Sequence, residues 1–114
     1  MVARAHGLSP ALRELAVAAA ARVRERLPHL FAGPAAAELE LVAADGEVLR
    51  IDRLVDADDA LWIVDFKWRV TEAERAGYEA QVRRYAEVLR AIRRDKPLRL
   101  ALVTADGALI EVAH

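Results

Sequence analysis

A chain of 114 residues with 55% hydrophobic and 31% charged residues holds one domain with a modest core and is too apolar to stay disordered. Its formal net charge of −1 excludes a uniformly basic nucleic-acid binder, so any such binding must come from a local patch, and the lack of cysteine excludes both a disulfide framework and a thiolate zinc site. No apolar run approaches the roughly 20 residues that cross a bilayer, and the alanine-rich start carries Arg13 and Glu14, so it reads as a soluble helix rather than a signal peptide, with the cytoplasm as the expected compartment.

Ser9-Pro10 opens a helix, with Ser as N-cap and Pro at the first helical position. Leu12, Leu15, Ala16, Ala19, Val23 and Leu27 follow at helical spacing, and Pro28 stops the helix near Leu27. After a loop, "HLFAGP", the segment "AAELELVA" alternates, with Leu39 and Leu41 on one side and Glu38 and Glu40 on the other. Asp45-Gly46 signals a two-residue hairpin into the strand "EVLRIDRLV". The polar turn "DADDA" leads to a third strand, "LWIVDFKW", which completes an antiparallel meander. Thr71 and Glu74 fit a capping box for a helix running to about Arg94, with Tyr78, Val82, Tyr85, Leu89 and Ile92 as its apolar stripe. The strands "LRLALVTA" and "ALIEVA" close the chain around Asp106-Gly107. The predicted fold class is α/β: helix, three-stranded meander, helix, two strands, a mixed sheet flanked by helices over residues 1–114 as a single domain.

Three charges interrupt the apolar strands: Asp52, Asp65 and Lys67. Buried charges are costly unless paired or bound to something. Alternation puts Asp65 and Lys67 on one face, with Trp62, Val64, Phe66 and Trp68 on the other. Pairing about the turn near residues 57–60 brings Asp52 beside Asp65. Two adjacent carboxylates raise each other's pKa, and a divalent cation between them removes the conflict; hard oxygen ligands suit Mg²⁺ or Mn²⁺. The plainer alternative is ion pairing, of Asp52 with Arg50 or Arg53 and of Asp65 with Lys67. The mid-strand acid at meander spacing, with Glu38 and Glu40 one strand earlier, favours a metal site.

The stretches "AELEL", "LRIDRLV", "WIVDFKW" and "YEAQVRRYAEVL", in that order, resemble the PD-(D/E)xK nuclease superfamily, and within it the RecB-like domains at the C-terminus of AddA-type helicase–nucleases. The resemblance runs from about Glu38 to the end and implies a restriction-endonuclease-like core. It implies that Asp52 and Asp65 bind Mg²⁺ or Mn²⁺, that the Phe66 carbonyl is a further ligand, and that Lys67 is the catalytic lysine. Glu38 matches the upstream acid, with Glu40 as its substitute. Gln81 and Tyr85, one helical turn apart, match the motif after the catalytic strand and would face DNA; Tyr85 also fits the core stripe. Of the arginines on that helix, Arg84, three residues from Gln81, is the candidate phosphate contact.

The implied activity is metal-dependent cleavage of DNA, with exonuclease action expected, in recombination or repair beside a helicase subunit or domain. The alanine and arginine bias, with Lys67 and Lys96 the only lysines, suggests a GC-rich bacterial source. RecB-like domains also carry a metal-binding His on an early helix. The helix from Pro10 to Leu27 has none, and His6, His29 and His114 read as surface residues. The expectation is therefore a fragment or a minimal version without the family's N-terminal helical part. The rival reading is a catalytically silent module of the same fold that binds DNA or docks a protein.

Overall fold

Pro10 and Pro28 bracket the first helix. The computed structural model describes residues 9–31 and 34–114, without the side chain of Leu12. The elements are α1 (Pro10–Arg26), a 3₁₀ turn (Pro28–Leu30), β1 (Ala35–Val42), β2 (Val48–Asp56), β3 (Leu61–Lys67), α2 (Glu72–Ile92), β4 (Leu98–Thr104) and β5 (Leu109–Val112). They form one five-stranded sheet in the order β1-β2-β3-β4-β5. β1, β2 and β3 are successively antiparallel, β3 and β4 are parallel, and β5 returns antiparallel to β4. A parallel neighbour requires a crossover, and α2 supplies it.

Each face of the sheet carries its own core. Ile51, Leu61, Ile63, Leu100 and Leu102 pack with Val82, Tyr85 and Leu89 of α2. On the other face, Val55, Trp62, Val64, Ala101 and Val103 pack with Val23 of α1 and Leu30 of the 3₁₀ turn. β3 and β4 are covered on both sides, which is why their sequences are nearly unbroken apolar runs. Burying a side chain such as Ile63 or Leu100, each fully enclosed, contributes roughly 1.5–3 kcal/mol. α1 is also pinned by Arg22, whose Nε donates to the Ala105 carbonyl at 3.2 Å. Thr71 opens α2 as the capping box predicts: its N–H and hydroxyl both donate to Glu74 Oε1, at 3.3 and 2.7 Å. No helix among the described residues is long and apolar enough to cross a membrane.

Three local features depart from the sequence reading. Both Asp-Gly turns are one residue longer than a two-residue hairpin: Ala43 N–H bonds the Glu47 carbonyl and Gly46 N–H bonds the Ala43 carbonyl, with the same pattern at Thr104, Ala108 and Gly107. The glycine ends each loop in a left-handed conformation, φ +89° at Gly46 and +86° at Gly107, which a residue with a Cβ resists. Secondly, Leu15, Trp68 and Ile92 are exposed rather than core. Thirdly, the alternation breaks inside β2. Ile51 and Leu54, three residues apart, both pack under α2, while Val55 packs on the α1 side. Across from this break, the β1–β2 pairing passes from Ala37↔Arg53 to Leu39↔Ile51, skipping Glu38, whose φ is +53°.

Candidate active site

The break in β2 positions Asp52. Regular β2–β3 pairing ends at Arg53↔Val64, so one step further along the same register Asp52 stands opposite Asp65. Its Oδ2 accepts a hydrogen bond from the backbone N–H of Phe66 at 2.9 Å. The acid is thereby locked to the strand that carries Asp65 and Lys67.

Asp65 is 3% exposed. Its carboxyl is pushed up to about 6, first by burial and then by the neighbouring Asp52 carboxylate, against the pull of Lys67. Lys67 Nζ lies 3.0 Å from Asp65 Oδ2, yet that buried oxygen has no hydrogen-bond partner. The ion pair that the plainer sequence alternative foresaw is present. Burial and the Asp52 carboxylate outweigh it in setting the carboxyl's pKa. Arg50, the other partner considered, bonds Glu40 at 2.9 Å, and Arg53 turns to the far face, where its Nε donates to the Leu30 carbonyl at 3.0 Å.

α2 closes the other side. Gln81 Oε1 accepts from Lys67 Nζ at 3.3 Å, and the same Nζ sits 4.3 Å from the centroid of the Tyr78 ring. The ammonium is thus held by a carboxylate, an amide and a π face. Glu40, Arg50, Asp52, Asp65, Phe66, Lys67, Gln81 and Tyr85, with Val48, line one open, mainly polar cleft of about 450 Å³. Tyr85 is at once part of the core under α2 and part of the cleft wall.

A family model of the PD-(D/E)XK nuclease superfamily matches residues 3–113. The chain belongs to this superfamily. No curated protein matches it. Its mixed five-stranded sheet with two helices is the restriction-endonuclease-like architecture. Membership in the PD-(D/E)XK superfamily points to nuclease activity on DNA, and PD-(D/E)XK nucleases generally use divalent metal ions.

The donor set of this PD-(D/E)XK chain fits such an ion. Two carboxylates face one cleft, one of them driven toward protonation, and a buried carboxylate oxygen has no hydrogen bond. Hard divalent cations select such oxygens. Among the described residues no group of three Asp, Glu or His side chains converges to hold a metal.

Other expected site residues lie elsewhere. Glu40, not Glu38, lines the cleft, because the left-handed turn of the backbone at Glu38 breaks the alternation that made the two equivalent. Arg84 is outside the cleft; it reaches Glu47 and Glu87 at 3.2 Å and Asp45 at 3.5 Å, so the β1–β2 turn and its own helix neutralise it. His6 lies outside the described residues. His29 is exposed and edge-on to Trp62, while His114 Nε2 contacts the Leu98 carbonyl at 2.7 Å. Tyr78 and Arg50 are cleft-side residues that the sequence reading did not assign; for Tyr78 the available signal was its place three residues before Gln81 on one helix face.

Proposed function

We propose that this chain is a metal-dependent deoxyribonuclease domain of the RecB-like type, acting in DNA recombination or repair beside a helicase. The observation that carries the reading is the buried Asp65, raised toward neutrality next to Asp52 and flanked by Lys67. The RecB-like assignment is supported by Gln81 and Tyr85, which share the cleft with those three residues.

Asp52 and Asp65 would hold Mg²⁺ or Mn²⁺, with the Phe66 carbonyl as a further protein oxygen; N–H and C=O of one strand residue lie on the same edge, and the Phe66 N–H already points at Asp52. Bound there, the ion supplies Lewis acidity to the scissile phosphate and a water of lowered pKa. The chain's own residues do the rest. Lys67 donates to a non-bridging phosphate oxygen as water oxygen bonds to phosphorus and the ester oxygen departs, which stabilises charge that grows in the transition state. Gln81 fixes the ammonium's direction. The buried Tyr85 ring walls one side of the cleft and lowers the local dielectric, which strengthens these contacts.

The test is Mn²⁺-dependent degradation of labelled linear DNA. Lys67→Ala should lower the rate by about 10²–10³ while DNA binding persists. Lys67→Arg should not rescue, since a planar guanidinium cannot take the place of the compact ammonium between Asp65 and Gln81. Equal rates for wild type and Lys67→Ala would remove Lys67 from the chemistry. A wild type that binds metal and DNA without cutting would instead make this a silent member of the fold.

A further inference from the structure

On the α1 face of the sheet, two arginines share one aromatic ring. The guanidinium carbons of Arg53 (β2) and Arg24 (α1) lie 4.7 and 5.7 Å from the centroid of Phe31. Six other arginines, Arg50, Arg75, Arg83, Arg84, Arg93 and Arg99, each lie against a carboxylate; here two guanidiniums meet on one ring instead. Among the described residues no carboxylate pairs with Arg24 or Arg53. Residues 1–8, 32 and 33 contain no Asp or Glu to supply one. Both guanidiniums are positively charged and share the Phe31 ring, so the pair stands in mutual repulsion. Each arginine has a local task. Arg53 bonds the Leu30 carbonyl, and Arg24, in the last turn of α1, complements the helix dipole. Neither task requires both on one ring.

The cluster is joined to the catalytic cleft. Phe31 stacks on Phe66, centroids 6.4 Å apart and planes 21° apart, and the Phe66 N–H holds Asp52. Arg53 follows Asp52 in the chain and faces the opposite side of the sheet. The paired guanidiniums therefore sit behind the two acids, at the same end of β3. Two unneutralised guanidiniums converging on a partly desolvated surface recognise a phosphodiester, each by charge-assisted N–H donation.

We propose that Arg24 and Arg53, held on Phe31, contact the phosphate backbone of a DNA strand that runs from the cleft around the end of the sheet. This deepens, and rests on, the nuclease reading.

The test is binding of labelled oligothymidylate by fluorescence anisotropy across a salt series, with EDTA present to stop cleavage. Each phosphate contact on a single strand contributes about −0.7 to the slope of log K against log salt. Arg24→Ala should make that slope shallower by about 0.7, and adding Arg53→Gln, which keeps a donor for the Leu30 carbonyl, should double the change. Arg24 is exposed, so its variant reports without risk to the fold, and a melting curve checks the double variant. Arg94→Ala, an exposed arginine far along the chain, should leave the slope unchanged. A thymidine dinucleotide, too short to leave the cleft, should bind all variants alike. If the wild type binds DNA and Arg24→Ala has the same slope, or if the dinucleotide loses affinity equally, this contact is overturned and the nuclease reading stands. If the wild type binds no DNA, both fall.

Discussion

Asp65→Asn tests whether Asp65 is kept at the expense of stability. The carboxyl titrates near 6 in the folded chain against 3.8 in its ordinary state. At 1.36 kcal/mol per unit, the difference amounts to about 3 kcal/mol. The sign follows from linkage: with its folded pKa raised, the group binds protons more tightly folded than unfolded. Stability is therefore highest below the ordinary value and is lost as pH rises through the folded value. At pH 7 the folded wild type carries nearly the whole cost; at about pH 5 it has recovered roughly 1.4 kcal/mol. The amide carries no charge to bury or to face Asp52. Asp65→Asn should be the more stable protein at pH 7 by as much as about 3 kcal/mol, with the gap closing toward about pH 4. The carboxylates whose pKa is lowered by their partners, Asp56, Asp95 and Asp106, act in the opposite direction in both proteins and cancel in the difference. The assay is urea denaturation of both proteins at a series of pH values. An Asp65→Asn protein that is equally or less stable at pH 7, or a gap that does not change with pH, would refute the argument: Lys67 would then be satisfying the carboxylate fully.

Millimolar Mn²⁺ should raise the melting temperature of the wild type, because a ligand that binds only the folded state stabilises it; the shift should vanish in Asp52→Ala, and its absence in the wild type would deny the metal site. Gln81→Ala should lower cleavage more than it lowers DNA affinity, since its side chain accepts from Lys67; parallel kcat and KM measurements decide, and a loss confined to KM would make it a plain substrate contact. Gly46→Ala should cost about 1–2 kcal/mol for its left-handed backbone alone, as nothing lies near the new Cβ. Gly107→Ala should cost more in the same denaturation assay, because there the Cβ meets the Arg26 side chain.

The order of elements was legible in the chain because its punctuation is strong. Ser9-Pro10, Pro28, Thr71 with Glu74 and the two Asp-Gly turns each act locally, and the structural bounds fall within a few residues of them. The nearness of Asp52 to Asp65 was legible too, since counting outward from one turn fixes an antiparallel register. Two kinds of fact were not. Strict alternation cannot foresee a left-handed residue within a strand, so Glu38 read as the upstream acid and Glu40 only as its substitute, whereas Glu38 interrupts the pairing and Glu40 lines the cleft. Partners distant in sequence are invisible to helical spacing: Arg84 lies near Gln81 along α2, but the side chains that claim it, Asp45 and Glu47, come from the β1–β2 turn.

The interruption at Glu38 also bears on how copies of this chain meet each other. β1 is an outermost strand, eight residues long and mostly exposed, and begins with three alanines that offer a neighbour no steric resistance. An uninterrupted comb of backbone donors and acceptors of that length would template the addition of another strand and, repeated, a growing fibre. The left-handed twist at Glu38 throws the comb out of line near its middle. What remains on either side is too short to zip. The same deviation that disturbs the sheet opposite Asp52 thus keeps its free border from becoming sticky.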